Sequence, residues 1–470
     1  MSPSADPAGA RRQTEADRHN ERAIRKAQRD GRIPAISAAL VRADRDPWTC
    51  TVGDSGNPAH PLDADSRFRI GSVTKTFTAV LVMQARDDGL LDLDDPIAAH
   101  LDVPAHGDIT IRRLLSHTGG LQREPHGDVW DTLISPDAAA MLADLARVER
   151  VLPNNRRFHY SNLGMAVLGH LVATLRGTTW ADAVRERITD PLALNATTAA
   201  EPAGAAVGYL VDAYSDAAHP EPRFEMGGAA AAAQLWSTAA DMARWAAFLA
   251  GPEIVDPDGA VLAATSIDEM RWPLTTTDEQ QWAAGIGLGL ILVPEGRWVT
   301  HVGHDGAMPG FLAGVYGRRG GEGNPGALGC AVLGSSGTAG EVNDVVHELL
   351  RHSVELDPAD ITPWRAAPPA PAEYRSILGP WWSEGFGYEF SWHAGTLQAR
   401  AVAAPAGRPP AVFRPLPDEP DVLRTVSGRE AGERLRLTRD EHGVVVRMHW
   451  ATYRLTRVQE AFDHVPASDG

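Results

Sequence analysis

The stretch Gly71-Ser72-Val73-Thr74-Lys75-Thr76-Phe77 opens a strongly apolar segment of the chain. The chain has only two lysines, and all its other basic residues apart from histidine are arginines. An ammonium in an apolar pocket can lose its proton and act as a base, whereas a guanidinium stays charged at any working pH. Lys75 therefore indicates proton transfer. The alternative, a chance Ser-x-x-Lys on a solvated helix face, does not fit the apolar residues that follow.

Ser72 and Lys75 are expected to share one face of a helix that begins near Ser72, because residues three positions apart on a helix are neighbours. Unpaired N–H groups at that helix end would favour negative charge at the serine oxygen. Lowering an ammonium pKa from about 10.4 to near 7 takes about 4 to 5 kcal/mol of differential stabilisation. The pattern therefore predicts an activated serine beside a buried amine.

The composition excludes several classes of protein. The 470 residues carry a net charge of -17, which argues against nucleic acid and anionic membranes as partners. No segment approaches the roughly 20 consecutive apolar residues that cross a bilayer. The first 30 residues are polar and charged, without the apolar core of a signal peptide, so we expect a cytoplasmic protein. Cys50 and Cys330 are expected to be reduced and packed.

Strand-like runs at both ends of residues 32–362 enclose a mostly helical middle. A charged helix is predicted within residues 1–31. Predicted strands are Ile36–Val41, Trp48–Val52, Trp298–Val302, Phe311–Tyr316 and Ala327–Leu333. We therefore predict an α/β catalytic domain over residues 32–362, with residues 1–31 as part of it. Its antiparallel sheet is flanked by helices and carries an inserted helical lobe.

The composition changes at residues 363–372, where prolines alternate with alanines, and we interpret this segment as an interdomain linker. Short alternating runs follow, including Tyr388–Trp392, Thr396–Arg400 and Val444–Trp450. This pattern predicts a small antiparallel all-β barrel or sandwich over residues 373–470.

Two further motifs accompany Ser-x-x-Lys. They are Tyr160-Ser161-Asn162 and His301-Val302-Gly303-His304-Asp305-Gly306. In this order the three motifs resemble the Ser-x-x-Lys, Tyr-x-Asn and Lys/His-x-Gly boxes of the penicillin-recognising serine hydrolases, a group of β-lactamase-like and DD-peptidase-like acyl transferases. The resemblance covers about residues 32–350 and includes Leu114-Leu115-Ser116-His117-Thr118-Gly119-Gly120-Leu121.

The resemblance implies a role for each motif residue. Ser72 is the nucleophile, Lys75 its proton acceptor, and Tyr160 relays protons to the leaving or incoming group. Asn162 orients Lys75 and the substrate amide. For Tyr160 taken alone, the alternative is a core tyrosine with a satisfied hydroxyl. His117 is predicted to be structural, and the resemblance implies neither a cofactor nor a metal.

The third box implies contacts with the substrate. The resemblance implies that His304 occupies the position of the positively charged residue in the Lys/His-x-Gly motif, and that Asp305 and Gly306 contact the substrate. It also implies that the backbone N–H groups of Ser72 and Ala307 form the oxyanion hole. Asp305 departs from the threonine, serine or glycine of many relatives. A carboxylate there would repel the carboxylate of penicillin-like ligands and attract a substrate ammonium, unless it points into solvent. We therefore expect amine-bearing acyl substrates rather than β-lactams.

The sequence combines a penicillin-binding-protein-like domain with an expected lipocalin-like carboxy-terminal barrel and no expected leader. This combination resembles the penicillin-binding-protein-type thioesterases of nonribosomal peptide assembly. Those enzymes take a peptide from a carrier-protein thioester onto serine and release it by macrocyclisation through the peptide amine. In that group an arginine late in the barrel contributes to substrate recognition. Arg454 is the candidate here, with Arg447 and Arg457 close by and a solvated barrel exterior as the alternative.

Two other functions remain open from the sequence. In an intracellular D-aminopeptidase, amidase or esterase, water rather than an amine would deacylate Ser72. In a noncatalytic binding protein, the pocket would persist without chemistry, which the complete set of motif residues argues against.

Replacing Lys75 with arginine separates charge from basicity. We expect Lys75→Arg to fold but to acylate Ser72 at least about a hundredfold more slowly, because a guanidinium cannot accept the serine proton. The rate of Ser72 labelling by a fluorophosphonate, followed by intact-protein mass spectrometry, measures this. Near-normal labelling would contradict the role of Lys75 as base.

Overall fold

A computed structural model describes residues 14–152 and 157–460. It divides into two compact units between Asp360 and Ile361. Residues 361–371, which include most of the predicted linker, form neither helix nor strand. The predicted helix of residues 1–31 and the end of the predicted barrel lie partly outside the described residues.

Strands of the first unit come from segments far apart in the sequence. They are β1 (Ala35–Arg42), β2 (Arg45–Gly53), β3 (Phe68–Arg69), β4 (Tyr209–Val211), β5 (Ala218–Pro220), β6 (Trp236–Ser237), β7 (Thr275–Thr276), β8 (Gly285–Ile286), β9 (Ile291–Pro294), β10 (Thr300–Met308), β11 (Phe311–Arg319) and β12 (Leu328–Gly334). Eight form an antiparallel sheet in the order β2-β1-β12-β11-β10-β9-β8-β7. Cys50 and Cys330 lie on strands that flank β1 and are not bridged.

Helices cover both faces of this sheet. They are α1 (Glu15–Asp30), α2 (Thr74–Asp87), α3 (Ile111–Leu115), α4 (Val129–Thr132), α5 (Ala138–Ala143), α6 (Asn162–Arg176), α7 (Trp180–Val184), α8 (Ala230–Ala233), α9 (Ala239–Ala250), α10 (Pro252–Val255), α11 (Ala264–Met270) and α12 (Glu341–Glu355). Helices α1 and α12 share one apolar core with the sheet, and α2, α6 and α9 lie in a larger core on its other face. In the described ranges, every helix is too short or too polar to span a bilayer.

Helix α2 holds the Ser-x-x-Lys motif inside the larger core. Every residue from Thr74 to Ala85 is buried, and a 3-10 turn, Gly71–Val73, precedes the helix. Gly71 has a φ of +50°, and a Cβ there would lie 2.6 Å from the backbone nitrogen of Ala307. Only glycine combines this conformation with so close an approach. The turn that carries Ser72 is therefore packed directly against β10.

Strand β10 begins later than predicted and is longer. The sequence predicts a strand at Trp298–Val302, whereas β10 runs from Thr300 through the third motif to Met308. The backbone N–H of Glu295 donates to the carbonyl of Val299 at 3.0 Å, which closes the β9–β10 hairpin before the strand starts. Side chains of the third motif consequently alternate between the two faces of the sheet.

The second unit is an antiparallel barrel preceded by a helical turn. Its elements are α13 (Ala372–Arg375), β13 (Gly379–Ser383), β14 (Phe386–His393), β15 (Thr396–Ala401), β16 (Ala411–Leu416), β17 (Glu419–Ser427), β18 (Arg434–Arg439), β19 (Val445–Trp450) and β20 (Tyr453–Leu455). The strands pair in sequence order. Thr456 exchanges backbone hydrogen bonds with Trp382 at 2.8 and 3.0 Å, which joins the last strand to the first. The predicted fold class, an α/β domain followed by an all-β barrel, is confirmed.

Gly169 marks the tightest contact between α6 and α8. A Cβ at this position would lie 2.2 Å from the Cβ of Ala231. We expect Gly169→Ala to lower the free energy of unfolding by about 2 kcal/mol, because the helices must separate. Urea unfolding followed by tryptophan fluorescence measures the change. Gly340→Ala, which meets nothing within 4 Å, is the control and should change stability by about 0.5 kcal/mol or less. Equal effects would contradict the packing argument.

Candidate active site

Lys75 is fully buried beside Ser72. Its Nζ lies 2.9 Å from Ser72 Oγ and donates to the carbonyl of Ala232 at 2.8 Å. Burial holds the pKa of Lys75 well below its usual value, with the Arg123 guanidinium acting in the same direction and the Glu124 carboxylate opposing it. An uncharged amine at this distance has a lone pair that can accept the serine proton.

Tyr160 completes a triangle with Ser72 and Lys75. The phenol hydrogen bonds to Ser72, and Lys75 Nζ lies 4.8 Å from the centre of the tyrosine ring. Burial raises the pKa of Tyr160, and the hydrogen bond with Ser72 only partly offsets this effect. The phenol therefore stays protonated near neutral pH. In this arrangement Lys75 is the base and Tyr160 is a proton donor and relay.

His117 positions Tyr160 from the side. Its ring stacks on the tyrosine ring at 4.6 Å, and the backbone N–H of Ser161 donates to its Nδ1 at 3.2 Å. Burial, followed by the nearby Lys75, holds the pKa of His117 well below its usual value. The histidine is therefore neutral, and its contacts are structural ones.

His304 lies near this group but supplies no cation. Its ring is 6.0 Å from that of Tyr160, and its Nδ1 donates to the carbonyl of Asp305 at 2.5 Å. Burial, and then the charge that Lys75 would carry, hold the pKa of His304 at about 3. Since Nδ1 carries the proton, Nε2 of the neutral ring is a hydrogen-bond acceptor. The structure thus does not provide the positive charge expected at the third box.

Asp305 lies on the other face of the sheet from His304, as adjacent strand residues do. Its carboxyl hydrogen bonds to the hydroxyl of Tyr316, which belongs to the core cluster on the α1 and α12 face. Burial raises the pKa of Asp305 to about 6 despite that hydrogen bond. The sequence predicted that Asp305 contacts the substrate or, alternatively, points into solvent, and the structure shows neither. The alternation of side chains along β10 turns Asp305 away from the face that carries Lys75.

Gly306 and Ala307 bring the backbone of β10 to the serine turn. A Cβ on Gly306 would lie 2.0 Å from the carbonyl oxygen of Ile70, so this glycine permits the contact rather than offering a side chain to substrate. Ala307 packs against Gly71 through its backbone. The N–H groups of Ala307 and Ser72, the predicted oxyanion hole, consequently belong to neighbouring segments.

Glu124, which was not predicted from the sequence as a site residue, orients the side chain of Asn162. Its Nδ2 donates to Glu124 Oε1 at 2.6 Å, and its Oδ1 is buried without a partner among the described residues. Asn162 makes no hydrogen bond to Lys75. The adjacent Arg123 guanidinium lies 4.9 Å from the Tyr160 ring centre. Only the position of the Arg123-Glu124 pair, separated from the Leu114–Leu121 segment by Gln122, could have drawn attention to it.

The late arginines all lie in the second unit. Arg454 in β20 forms an ion pair with Glu460 at 3.1 Å. Arg457 lies 4.0 Å from the Trp381 ring centre and donates to the carbonyl of Pro380 at 2.9 Å. Arg447 lies in β19. Substrate recognition by Arg454 stays a prediction.

One group of side chains has the composition of a metal site. Glu295, His301 and His347 each bring one potential ligand atom within 4.8 Å of the others. The two histidines face each other with their Nδ1 atoms 2.8 Å apart, and Arg351 lies 3.7 Å from Glu295. His347 belongs to α12, so this group lies on the face of the sheet opposite Lys75. It contributes nothing to the serine chemistry.

A buried lysine with a lowered pKa, 2.9 Å from a serine hydroxyl and beside a tyrosine ring, is the arrangement of an enzyme of the serine acyl-transfer class. Comparison with family models agrees, since residues 20–333 match the model "Beta-lactamase" and residues 370–457 match "Domain of unknown function (DUF7586)". The chain belongs to the β-lactamase family.

Similar proteins carry several different names. The chain is 35% identical over 267 residues to "Penicillin-binding protein 4" of Amycolatopsis lactamdurans, covering 53% of this chain and 68% of that protein. It is 30% identical to "Unguisins hydrolase ungD'" of Aspergillus campestris, covering 59% of this chain and 55% of that protein. A third relative, "Beta-lactamase-like protein 2" of Dictyostelium discoideum, is 29% identical, and the match covers 54% of this chain and 48% of that protein. The chain thus spans about half the length of two of these three relatives.

Solved structures share the fold. "SurE" aligns with a TM-score of 0.60 at 24% identity, covering 94% of this chain and 100% of that one. A "D-stereospecific amidohydrolase" from Streptomyces sp. aligns with a TM-score of 0.58 at 25% identity, covering 70% and 96%. The first likeness extends over both units of this chain and shows the architecture.

The buried amine has a stability cost that can be measured. Burial lowers the pKa of folded Lys75, so the folded protein loses this proton at a lower pH than the unfolded chain, and stability rises with pH until the unfolded lysine also loses its proton, near pH 10.4. We expect Lys75→Met to raise the Tm at pH 7 by about 2 °C or more, and this gain to shrink towards pH 10.

Differential scanning calorimetry across this pH range measures the effect. Lys26→Met is the matched control, because Lys26 is the other lysine of the chain and is exposed in α1, where it pairs with Asp30 at 3.0 Å. A difference in Tm between Lys75→Met and the native protein that stays constant from pH 7 to pH 10 would contradict a lowered pKa of Lys75.

Proposed function

We propose that the protein takes the acyl group of a peptidyl thioester onto Ser72 and releases it by attack of the peptide's own amine, which forms a macrocycle. The observation that carries the acyl-enzyme step is the fully buried Lys75 Nζ at 2.9 Å from Ser72 Oγ. An uncharged base in contact with a hydroxyl serves no evident purpose in a merely structural core.

Acylation uses the three contacting side chains. The Ser72 hydroxyl proton moves to Lys75 as Oγ attacks the thioester carbonyl, and backbone N–H groups of Ser72 and Ala307 stabilise the oxyanion. The carbon–sulfur bond then breaks, and the thiol leaves with a proton supplied through Tyr160 or from Lys75. This restores the neutral amine and leaves the peptide esterified to Ser72.

Release repeats these transfers in reverse. The amino group of the peptide attacks the ester carbon, the carbon–Oγ bond breaks, and the amine proton returns to Ser72 through Lys75 and Tyr160. The neutral state of His304 supports an amine nucleophile, because no charged imidazolium repels it. We propose a carrier protein as the donor's partner, because such thioesters reach release enzymes in that form.

Hydrolysis is the second candidate. Two relatives carry names of that kind, "Unguisins hydrolase ungD'" and "D-stereospecific amidohydrolase", and the latter is 25% identical over 70% of this chain. In this reaction water takes the place of the amine on the same acyl-enzyme. The catalytic residues are unchanged, so only the acceptor differs.

Peptidyl N-acetylcysteamine thioesters with a D-configured carboxy-terminal residue test the proposal. We expect cyclic peptide, a mass one water lower than the linear acid, measured by liquid chromatography and mass spectrometry. Linear acid alone would reject cyclisation and retain the hydrolase.

The Ser72→Ala variant is the control for uncatalysed thioester breakdown. A fluorophosphonate that fails to label Ser72 in the folded protein would reject both reactions and favour a noncatalytic binding protein.

A further inference from the structure

The contact between Asn162 and Glu124 fixes which way the asparagine amide faces. A carboxylate accepts hydrogen bonds and cannot donate them, so the amide atom 2.6 Å from Glu124 Oε1 must be the nitrogen. The helix start is also secured, because the backbone N–H of Asn162 donates to the carbonyl of Arg123 at 2.8 Å. The amide therefore cannot turn over without losing a charged hydrogen bond.

This orientation leaves Asn162 Oδ1 as a buried acceptor without a partner among the described residues. A buried polar atom without a hydrogen bond is costly, typically about 1 to 3 kcal/mol, and such atoms call for an explanation. Asn162 belongs to the Tyr-x-Asn motif, and only Ser161 separates it from Tyr160. A hydrogen-bond donor brought by the substrate would satisfy its oxygen.

Two further acceptors accompany Asn162 Oδ1. Glu124 is close enough to act electrostatically on both Lys75 and Tyr160, and its side chain is 21% exposed. His304 contributes Nε2, because its Nδ1 donates to the Asp305 carbonyl. Arg123 Nε stays 3.6 Å from Glu124 Oε1, which is beyond hydrogen-bond distance, and its side chain is 64% exposed. Glu124, Asn162 Oδ1 and His304 Nε2 are thus three acceptors beside the donors Lys75, Tyr160 and Arg123.

We propose that Glu124, with Asn162 Oδ1, forms a binding site for a primary ammonium of the reacting molecules. An ammonium supplies three donors and a positive charge, which complements one carboxylate and one amide oxygen. A substrate carboxylate would instead be repelled by Glu124, whose Oε1 lies 3.6 Å from Arg123 Nε and already bonds to Asn162. This inference rests on the proposed acyl-enzyme on Ser72 and names the substrate group that the site selects.

The ammonium has two possible sources. It is either the α-amine of the acyl donor, bound during acylation, or the amine of the acceptor, bound before it attacks the acyl-enzyme. In the second case the amine must lose its proton before attack, and Tyr160 and Lys75 lie on the path. Both sources present the same ammonium group to the site, and kinetic measurements distinguish binding of the donor's amine from binding of the acceptor's amine.

The first arm compares D-phenylalanyl and N-acetyl-D-phenylalanyl N-acetylcysteamine thioesters. If the donor's amine is bound, the native protein prefers the free amine in kcat/KM, and Glu124→Gln reduces that preference by about tenfold, mainly through KM. The second arm uses the N-acetylated thioester with added D-alaninamide. If the acceptor's amine is bound, Glu124→Gln lowers the ratio of aminolysis to hydrolysis by about tenfold, and because this ratio compares two fates of one acyl-enzyme, a change in the acylation rate does not affect it.

Asp128→Asn is the matched control, because it removes the same charge from an exposed position four residues away. We expect both ratios to stay at their native values in that variant. If Glu124→Gln moves neither ratio relative to Asp128→Asn, the ammonium site is rejected.

Fluorophosphonate labelling of Ser72 distinguishes this failure from that of the proposed function. Normal labelling with unchanged ratios rejects only the ammonium site. Should Glu124→Gln not fold, the native protein still tests the donor arm with the D-phenyllactyl thioester, which has a hydroxyl in place of the amine. Equal kcat/KM for the amine and hydroxyl donors rejects binding of the donor's amine, and absence of aminolysis rejects binding of the acceptor's amine.

Discussion

Burial of the Lys75 amine is the constraint on which the catalytic arrangement depends. Water would keep the amine charged, so the protein must exclude it on every side of the nitrogen. Helix α2 achieves this by being buried on every side from Thr74 to Ala85, with α6 and α8 packed on it. One carbonyl, that of Ala232, accepts an N–H without adding a full charge. The core is therefore part of the catalytic apparatus, because any loosening that admits water restores the proton to Lys75.

Strand β10 shows how one sequence motif serves both faces of a sheet. His304 faces Lys75, while His301 and Asp305 contact residues of the α12 face. The prediction from sequence treated His304, Asp305 and Gly306 as one substrate-facing box, although residues of opposite parity cannot share a face in a regular strand. Extending the predicted strand from Val302 to Met308 would have been enough to place His304 and Asp305 on opposite faces. Asp305, which departs from the family pattern, therefore gives no information about the charge of the substrate.

Many of the strands of this fold could be predicted from the sequence. Strand-like runs predicted β1 and β2, which pair as neighbours, and short alternating runs predicted strands of the barrel. Contacts across the chain were not predictable in the same way. Ala232 lies 157 positions from Lys75, and Glu124 lies 38 from Asn162. Nothing in residue spacing encodes such pairs, because they arise when separate helices and loops dock.

The opposite charges of Arg123 and Glu124 explain why burial alone dominates the state of Lys75. A lone carboxylate at this position would favour the ammonium form of Lys75, and a lone guanidinium would disfavour it and lower the affinity for any cationic group. With both present, their effects on Lys75 oppose each other, and burial remains the largest cause of the lowered pKa. The pair also divides its contacts, since Arg123 lies over the Tyr160 ring and Glu124 bonds to Asn162. A charged group can thus face the substrate without returning the proton to the base.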